Sequence, residues 1–143
     1  MNIGDALDQL GSLPYLAIPG EATMEDAAQQ GTGKRQVRGI YVVDERGRLL
    51  GTISLGVLIR HLASVRLRPQ FHMRSLLNRI TSEKMADLMD RHVIAAGKEE
   101  DLPSVIDRMM TANIKEIPVV DENRRLLGAL SLLDLWNLLE KTV

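Results

Sequence analysis

Ser131 and Asp134 stand three residues apart in the stretch Gly128-Ala129-Leu130-Ser131-Leu132-Leu133-Asp134, where an apolar strand pattern gives way to a helical one. A helix that starts at Ser131 has free N–H groups in its first turn. With the serine hydroxyl beside them they make a small anion site. A phosphate held there gains roughly 0.3–1 kcal/mol from the helix dipole. Asp134 follows one turn later on the same face. An ionised carboxylate accepts two hydrogen bonds, which suits the vicinal hydroxyls of a ribose. The spacing is that of a ribose-phosphate reader, and Gly128 belongs to the same turn. The pattern Ser-x-x-Asp is equally a capping box, in which the side chains satisfy amides of their own helix. That alone is worth about 0.5–2 kcal/mol. Both readings stand at this point, and one pair can serve both in the apo and bound states.

The elements that position this pair occur twice. Residues 40–63 read IYVVDERGRLLGTISLGVLIRHLA and residues 117–140 read IPVVDENRRLLGALSLLDLWNLLE, identical without a gap at more than half of the positions. A repeat this long signals two copies of one supersecondary unit. Each copy reads as strand, helix, strand, strand, helix. In the first, Tyr15 to Ile18 is a strand stopped by Pro19-Gly20. Thr23 with Asp26 starts a helix as a capping box. Gly39–Val43 and Leu49–Ile53 are strands around a turn, and Ser54 starts the closing helix. In the second, Met85–Met89 is a short helix, Val93–Ala95 a strand, and Asp101 caps a helix with Pro103 in its first turn. Ile117–Val120 and Leu126–Leu130 pair, and Ser131 starts the last helix. Asn2–Leu10 has helical spacing that ends at Gly11. The boundaries are residues 1–68 for the first copy with its N-terminal helix, 69–84 for a helical linker, and 85–143 for the second copy. The short strands are nearly all apolar, so one copy cannot bury its sheet alone. The expected fold class is α+β, with two repeats packed about an internal pseudo-two-fold axis and clefts along the seam between them.

Composition excludes several functions. The chain has 143 residues, a net charge of −1 and no cysteine. There is no global field for nucleic acid or acidic membranes, and no thiolate chemistry or disulfide. Tyr15, Tyr41, Phe71 and Trp136 are the only aromatics, too few for a base-stacking platform. No apolar run reaches the roughly 18 residues of a membrane span and no signal peptide opens the chain, so a cytoplasmic location is expected. Arg46 to Ser82 holds seven arginines and no acid, which suits either an anionic partner or a solvated surface. His61, His72 and His92 lack metal-ligand spacing. Glu99, Glu100 and Asp101 with Asp87 and Asp90 are the acidic grouping. Oxygen ligands of this kind suit Mg²⁺, but carboxylates in a helix first turn are also the ordinary complement of its dipole.

The pattern in Ile117 to Leu135, a Pro-Val-Val-Asp-Glu strand followed by Arg-Leu-Leu-Gly and Ser-Leu-Leu-Asp-Leu, resembles the CBS domain. The first copy resembles it too, with Tyr41 where the second has Pro118 and Val57 where it has Asp134. The resemblance runs from about Leu13 to Glu140. It implies a tandem CBS pair (a Bateman module), a regulatory binding module rather than an enzyme. It implies an adenosine-containing ligand (AMP, ADP, ATP or an S-adenosyl compound), no required cofactor, a homodimer, and a regulated transporter or enzyme as partner. In this family the ribose carboxylate of one repeat faces the base pocket of the other. The base walls for Asp134 would then be Leu16-Ala17-Ile18 and Val37-Arg38-Gly39. Of these, Ala17, Ile18, Arg38 and Gly39 are assigned to ligand binding with Gly128, Ser131 and Asp134. Arg38 could reach a phosphate, and Gly39 would let the backbone approach the ring. Ser54 keeps the phosphate-end hydroxyl of the first copy, but Val57 cannot accept from a ribose, so one good site and one weak or empty one are expected. Two alternatives belong to the same resemblance: a cation-sensing fragment of a transporter, and a ligand-free dimerisation scaffold.

Overall fold

A computed structural model describes residues 1–31, 39–67 and 84–141. The linker between the copies therefore lies almost wholly outside the described residues, as does Arg38. Six helices and six strands are described: α1 (Ile3–Leu10), β1 (Tyr15–Pro19), α2 (Met24–Gly31), β2 (Gly39–Val43), β3 (Leu49–Ile53), α3 (Leu55–Arg66), α4 (Met85–Leu88), β4 (Ala96–Gly97), α5 (Leu102–Ala112), β5 (Glu116–Val120), β6 (Leu126–Ser131) and α6 (Leu132–Glu140). They form two three-stranded sheets, β1-β2-β3 and β4-β5-β6, in an α+β arrangement. The starts of α2, α3, α5 and α6 lie where the sequence puts them. Asn2 caps α1, Thr23 and Asp26 exchange bonds at the head of α2, Ser54 caps α3 and Asp101 caps α5. Asn113 ends α5 in the left-handed region, φ 55°, its amide donating to the Met109 and Met110 carbonyls. The strand expected at Val93–Ala95 forms instead at Ala96–Gly97, where those two residues pair in parallel with Val119 and Val120. No helix among the described residues is long and apolar enough to cross a membrane.

The chain forms two compact units. One comprises Met1–Tyr15, Arg46–Leu49 and Ile94–Val143. Its core sets Ile3 and Ala6 of α1, Leu102, Val105 and Met109 of α5, and Leu135 and Leu138 of α6 against Ala96, Ile117, Val119 and Leu130 of the sheet. The helical contributors recur at three- and four-residue intervals, the spacing of one buried helix face. Each large side chain buried this way is worth about 1.5–3 kcal/mol relative to exposure. Backbone pairing seats α1 here. The Ile3 and Gly4 amides donate to the Glu100 and Lys98 carbonyls at 2.9 and 2.8 Å, and Leu102 N–H to the Met1 carbonyl at 3.1 Å. Two first-turn amides that α1 cannot satisfy internally are thereby paired.

The other unit comprises Leu16–Glu45 and Leu50–Val93. Its core sets Leu16 and Ile18 of β1, Met24 and Ala27 of α2, Ile40 and Val42 of β2, Ile53, Leu58 of α3 and Met85 of α4 together. The same device recurs: the Met85 and Ala86 amides donate to the Ala22 and Gly20 carbonyls at 2.8 and 3.0 Å. The short helix before each copy thus packs on the sheet of the other. The limits 1–68, 69–84 and 85–143 mark the copies along the chain. Packing follows a different division, because the carbonyls that complete α1 belong to residues 98 and 100.

A clamp fixes the short strand β4 onto α5. Arg108 donates to the Ala95 carbonyl at 2.9 Å and to Glu100 through both terminal nitrogens, while Gly97 N–H donates to Glu100 Oε2 at 2.7 Å. The guanidinium hydrogen bonds hold the Glu100 carboxyl below its ordinary value against the opposing effect of burial, and they raise Arg108 in turn. At the β5–β6 turn, Arg124 has φ 63°, whereas the corresponding residue of the first copy is Gly47 at φ 79°.

Because the folded Glu100 value is depressed, its stabilisation is fully present above the ordinary carboxylate range and is lost as pH falls through the folded value. Glu100→Gln should therefore cost about 1 kcal/mol at neutral pH, an exposed pair being discounted for solvent, and the gap to wild type should close on acidification. A gap independent of pH in urea titrations contradicts the clamp. Arg124→Gly should raise stability by under ~1 kcal/mol, since relief of the left-handed cost of about 1–2 kcal/mol exceeds glycine's extra unfolded entropy of roughly 0.5–1 kcal/mol. The check is a higher urea midpoint at unchanged slope; a lower midpoint contradicts it.

Candidate functional site

Strand β6 delivers Ser131 to the head of α6. The register with β5 fixes it: Glu116 pairs with Ser131, Ile117 with Leu130 and Pro118 with Ala129. Ser131 has extended backbone, φ −110° and ψ 157°, and is 9% exposed. Its hydroxyl oxygen accepts from the Asp134 amide at 3.1 Å and donates to Asp134 Oδ2 at 2.9 Å. The capping role is therefore realised. Asp134 is half-buried, and among the described residues its Oδ1 takes no hydrogen bond beyond those two contacts of Oδ2 and the amide. The anion site is narrower than a bare helix start would offer, because the Leu132 amide already donates to the Lys115 carbonyl at 2.9 Å and the Asp134 amide to Ser131. What remains is a carboxylate with one open oxygen beside a hydroxyl that can rotate. That pair can accept from one or two hydroxyls of a sugar and donate to an anionic oxygen.

Gly128 has a different task. A Cβ there would lie 2.9 Å from Ser12 Oγ and 3.0 Å from Leu7 Cδ1. Ser12 Oγ accepts from the Ala129 amide at 2.9 Å, and Leu13 N–H donates to the Ala129 carbonyl at 2.9 Å. The segment after α1 is thus strapped along β6, and Gly128 is small so that the strap can lie against it. The first copy repeats the arrangement. A Cβ on Gly51 would lie 2.7 Å from the Asp90 carbonyl, and Thr52 and Asp90 exchange backbone bonds of 3.0 and 2.8 Å. Neither strap is legible from periodicity, since Ser12 and Asp90 lie in unpatterned turns.

The residues expected as base walls belong to the other compact unit. Along β1 burial alternates, so Leu16 and Ile18 point into the core while Ala17 and Pro19 point out. Ala17 and Ile18 therefore cannot both present side chains to one pocket. Ile18 is fully buried and is a core residue; only its main chain could face a ligand. A Cβ on Gly39 would lie 2.9 Å from the Tyr41 ring, which covers the bare face two residues along the same strand. Arg38 lies outside the described residues. In the first copy, Ser54 accepts from the Val57 amide at 3.1 Å as an ordinary cap, and Val57 stands where the second copy has its carboxylate.

The acidic grouping is occupied by structural work. Glu100 holds Arg108, Asp101 accepts from the Ser104 amide and hydroxyl, which lower its carboxyl, and Asp90 accepts from the His92 amide. Among the described residues no three His, Asp or Glu are grouped to hold a metal ion.

Comparison with known proteins places this geometry in a family. The CBS domain matches residues 4–64 and 85–135. An uncharacterized protein of Methanocaldococcus jannaschii, MJ1225, is 34% identical over 117 residues, 81% of this chain but 40% of its own length. This chain is thus less than half as long as that relative. Among solved structures, the CBS domain pair of protein MJ0100 in complex with 5′-methylthioadenosine and S-adenosyl-L-methionine is 25% identical with a TM-score of 0.67, covering 97% of this chain and 99% of that one. The cytosolic domain of the Mg²⁺ channel MgtE in complex with ATP is 26% identical with a TM-score of 0.66, covering 87% of this chain and 44% of that one. With both of its copies matched, this chain belongs to the CBS-domain family and carries two such domains in tandem.

Proposed function

We propose that the pair is a regulatory module that reversibly binds an adenosine-containing ligand and passes the binding on to a partner. The observation that carries this reading is the Ser131–Asp134 pair, a half-buried carboxylate with one open oxygen at a helix start. Similar CBS pairs bound to 5′-methylthioadenosine with S-adenosyl-L-methionine, or to ATP, support the ligand class. On binding, the Ser131 hydroxyl turns from Asp134 Oδ2 toward the ligand, and Asp134 accepts from the ribose. No bond of the ligand is broken or made. A ligand that prefers one packing of the module shifts its population by its differential affinity, which is all that regulation requires. The chain's other roles belong to the same proposal: a cytoplasmic location, a regulated transporter or enzyme, and a second copy as partner. For the second copy the support is an apolar groove between α5 and α6, lined by Ile106, Leu132, Leu135, Trp136 and Leu139, with Trp136 64% exposed. Similarity to the MgtE cytosolic domain favours a cation-responsive variant of the same regulatory role.

Calorimetry with AMP, ADP, ATP and S-adenosylmethionine should show one binding event. Asp134→Ala should weaken it at least about tenfold, or ~1.4 kcal/mol, while Val57→Ala leaves it unchanged. Equal affinity in the Asp134 variant contradicts the assignment, and a response to Mg²⁺ alone favours the cation reading. Sedimentation should find a dimer that Trp136→Glu converts to a monomer. A wild-type monomer, or a dimer that survives the change, contradicts the partner assignment.

A further inference from the structure

The turns of the two copies meet inside one compact unit. Residues Arg46–Leu49 pack with the unit built on β4, β5 and β6, and Arg48 forms an antiparallel bridge with Arg125. These two arginines occupy the same position of the two copies. The flanking bonds run from Leu49 N–H to the Arg124 carbonyl at 2.9 Å and from Leu126 N–H to the Gly47 carbonyl at 3.0 Å. Bonds on either side of the bridge make it a non-hydrogen-bonded pair, the class in which Cα atoms approach to about 4.5 Å and side chains leave from the same face. The two arginine side chains thus leave neighbouring positions on one face, and both residues are exposed. Like charges directly opposite across a bridge repel.

Of the acids in these two turns, Asp44, Asp121 and Glu122 have partners within the chain, and Glu45 lies three residues before Arg48. Asp121 Oδ1 accepts from the Asn123 and Arg125 amides at 2.8 and 2.9 Å, and Glu122 pairs with Lys98 at 3.6 Å. Arg48 has a contact of its own within the chain, which an incoming anion would join or displace. Each guanidinium offers a planar fork of donors matched to phosphate oxygens. Two forks leaving one face at this spacing can grip a single group from two sides.

We propose that Arg48 and Arg125 form an oxyanion site at the bridge, suited to a phosphate group carrying two or more negative charges. The site is separate from the Ser131–Asp134 pair and does not depend on that reading. Binding there relieves the repulsion between the two turns, so the anion couples to stability of the unit. The probe is inorganic pyrophosphate, measured by thermal unfolding and calorimetry at low ionic strength. Pyrophosphate should raise the unfolding temperature of the wild type. Arg48→Gln and Arg125→Gln should each unfold at or above the wild-type temperature without the anion, lose most of the rise with it, and bind about tenfold more weakly. Arg125→Lys, which keeps the charge but not the fork, should retain only part of the response. Asp134→Ala should keep all of it. The proposal is overturned if sodium chloride at matched ionic strength gives the same rise, if both glutamine variants respond as wild type, or if Asp134→Ala removes the response.

Discussion

A sheet of three short apolar strands cannot shield both of its faces, and the pairing that completes each one dictates the rest of the structure. In the unit built on β4, β5 and β6, helix α1 supplies Ile3 and Ala6 to the core. It is anchored by two amides that reach the carbonyls of residues 98 and 100. In the other unit α4 is anchored on residues 20 and 22 in the same way. Without those bonds, first-turn amides would be buried unpaired, at about 1–3 kcal/mol each. The helices are therefore held by polar accounting as much as by apolar area. The straps that follow them, Ser12-Leu13 on Ala129 and Asp90 on Thr52, run over the glycines that precede each helix-start serine.

The same constraint explains why Gly128 and Gly51 are glycines. Their bare faces receive a strap, and any Cβ would meet it at under 3.0 Å. Gly39 is small for a related reason, since the Tyr41 ring lies over it. The copies then differ where chemistry is at stake. Ser54 and Ser131 cap their helices alike, but only Ser131 has a carboxylate on its hydroxyl. The difference between Val57 and Asp134 changes nothing in the backbone. It changes what the helix start can accept.

Much of the fold was legible in the sequence, because the signals that reveal it are local. Thr23, Ser54, Asp101 and Ser131 mark helix starts to the residue, whereas Asn2, which has helical spacing in the sequence, is the cap of a helix that begins at Ile3. Repetition revealed the tandem architecture, which the CBS match over residues 4–64 and 85–135 bears out. Long-range partners were not legible. Glycine reads as permissive backbone whether a ligand, a ring or a strap lies against it, so sequence does not separate a ligand-facing Gly39 or Gly128 from a packed one. Two adjacent residues of a strand cannot line one wall with their side chains, and Ala17 with Ile18 ran against that alternation. The Glu100–Arg108 clamp joins two residues on opposite sides of a helix start, and an acidic run reads the same whether it meets a cation or an arginine. At Ser131 and Asp134 the cap and the reader are written with the same letters; the protein realises the cap and, among the described residues, leaves Asp134 Oδ1 open.

Regulation by an adenosine ligand requires this cap to open to a nucleoside. A crystal structure grown with an adenosine ligand tests it most directly. A ribose hydroxyl should lie within hydrogen-bonding distance of Asp134, with the Ser131 hydroxyl turned away from that carboxylate. Density for the ligand elsewhere, with the Ser131–Asp134 hydrogen bond still closed, would contradict it.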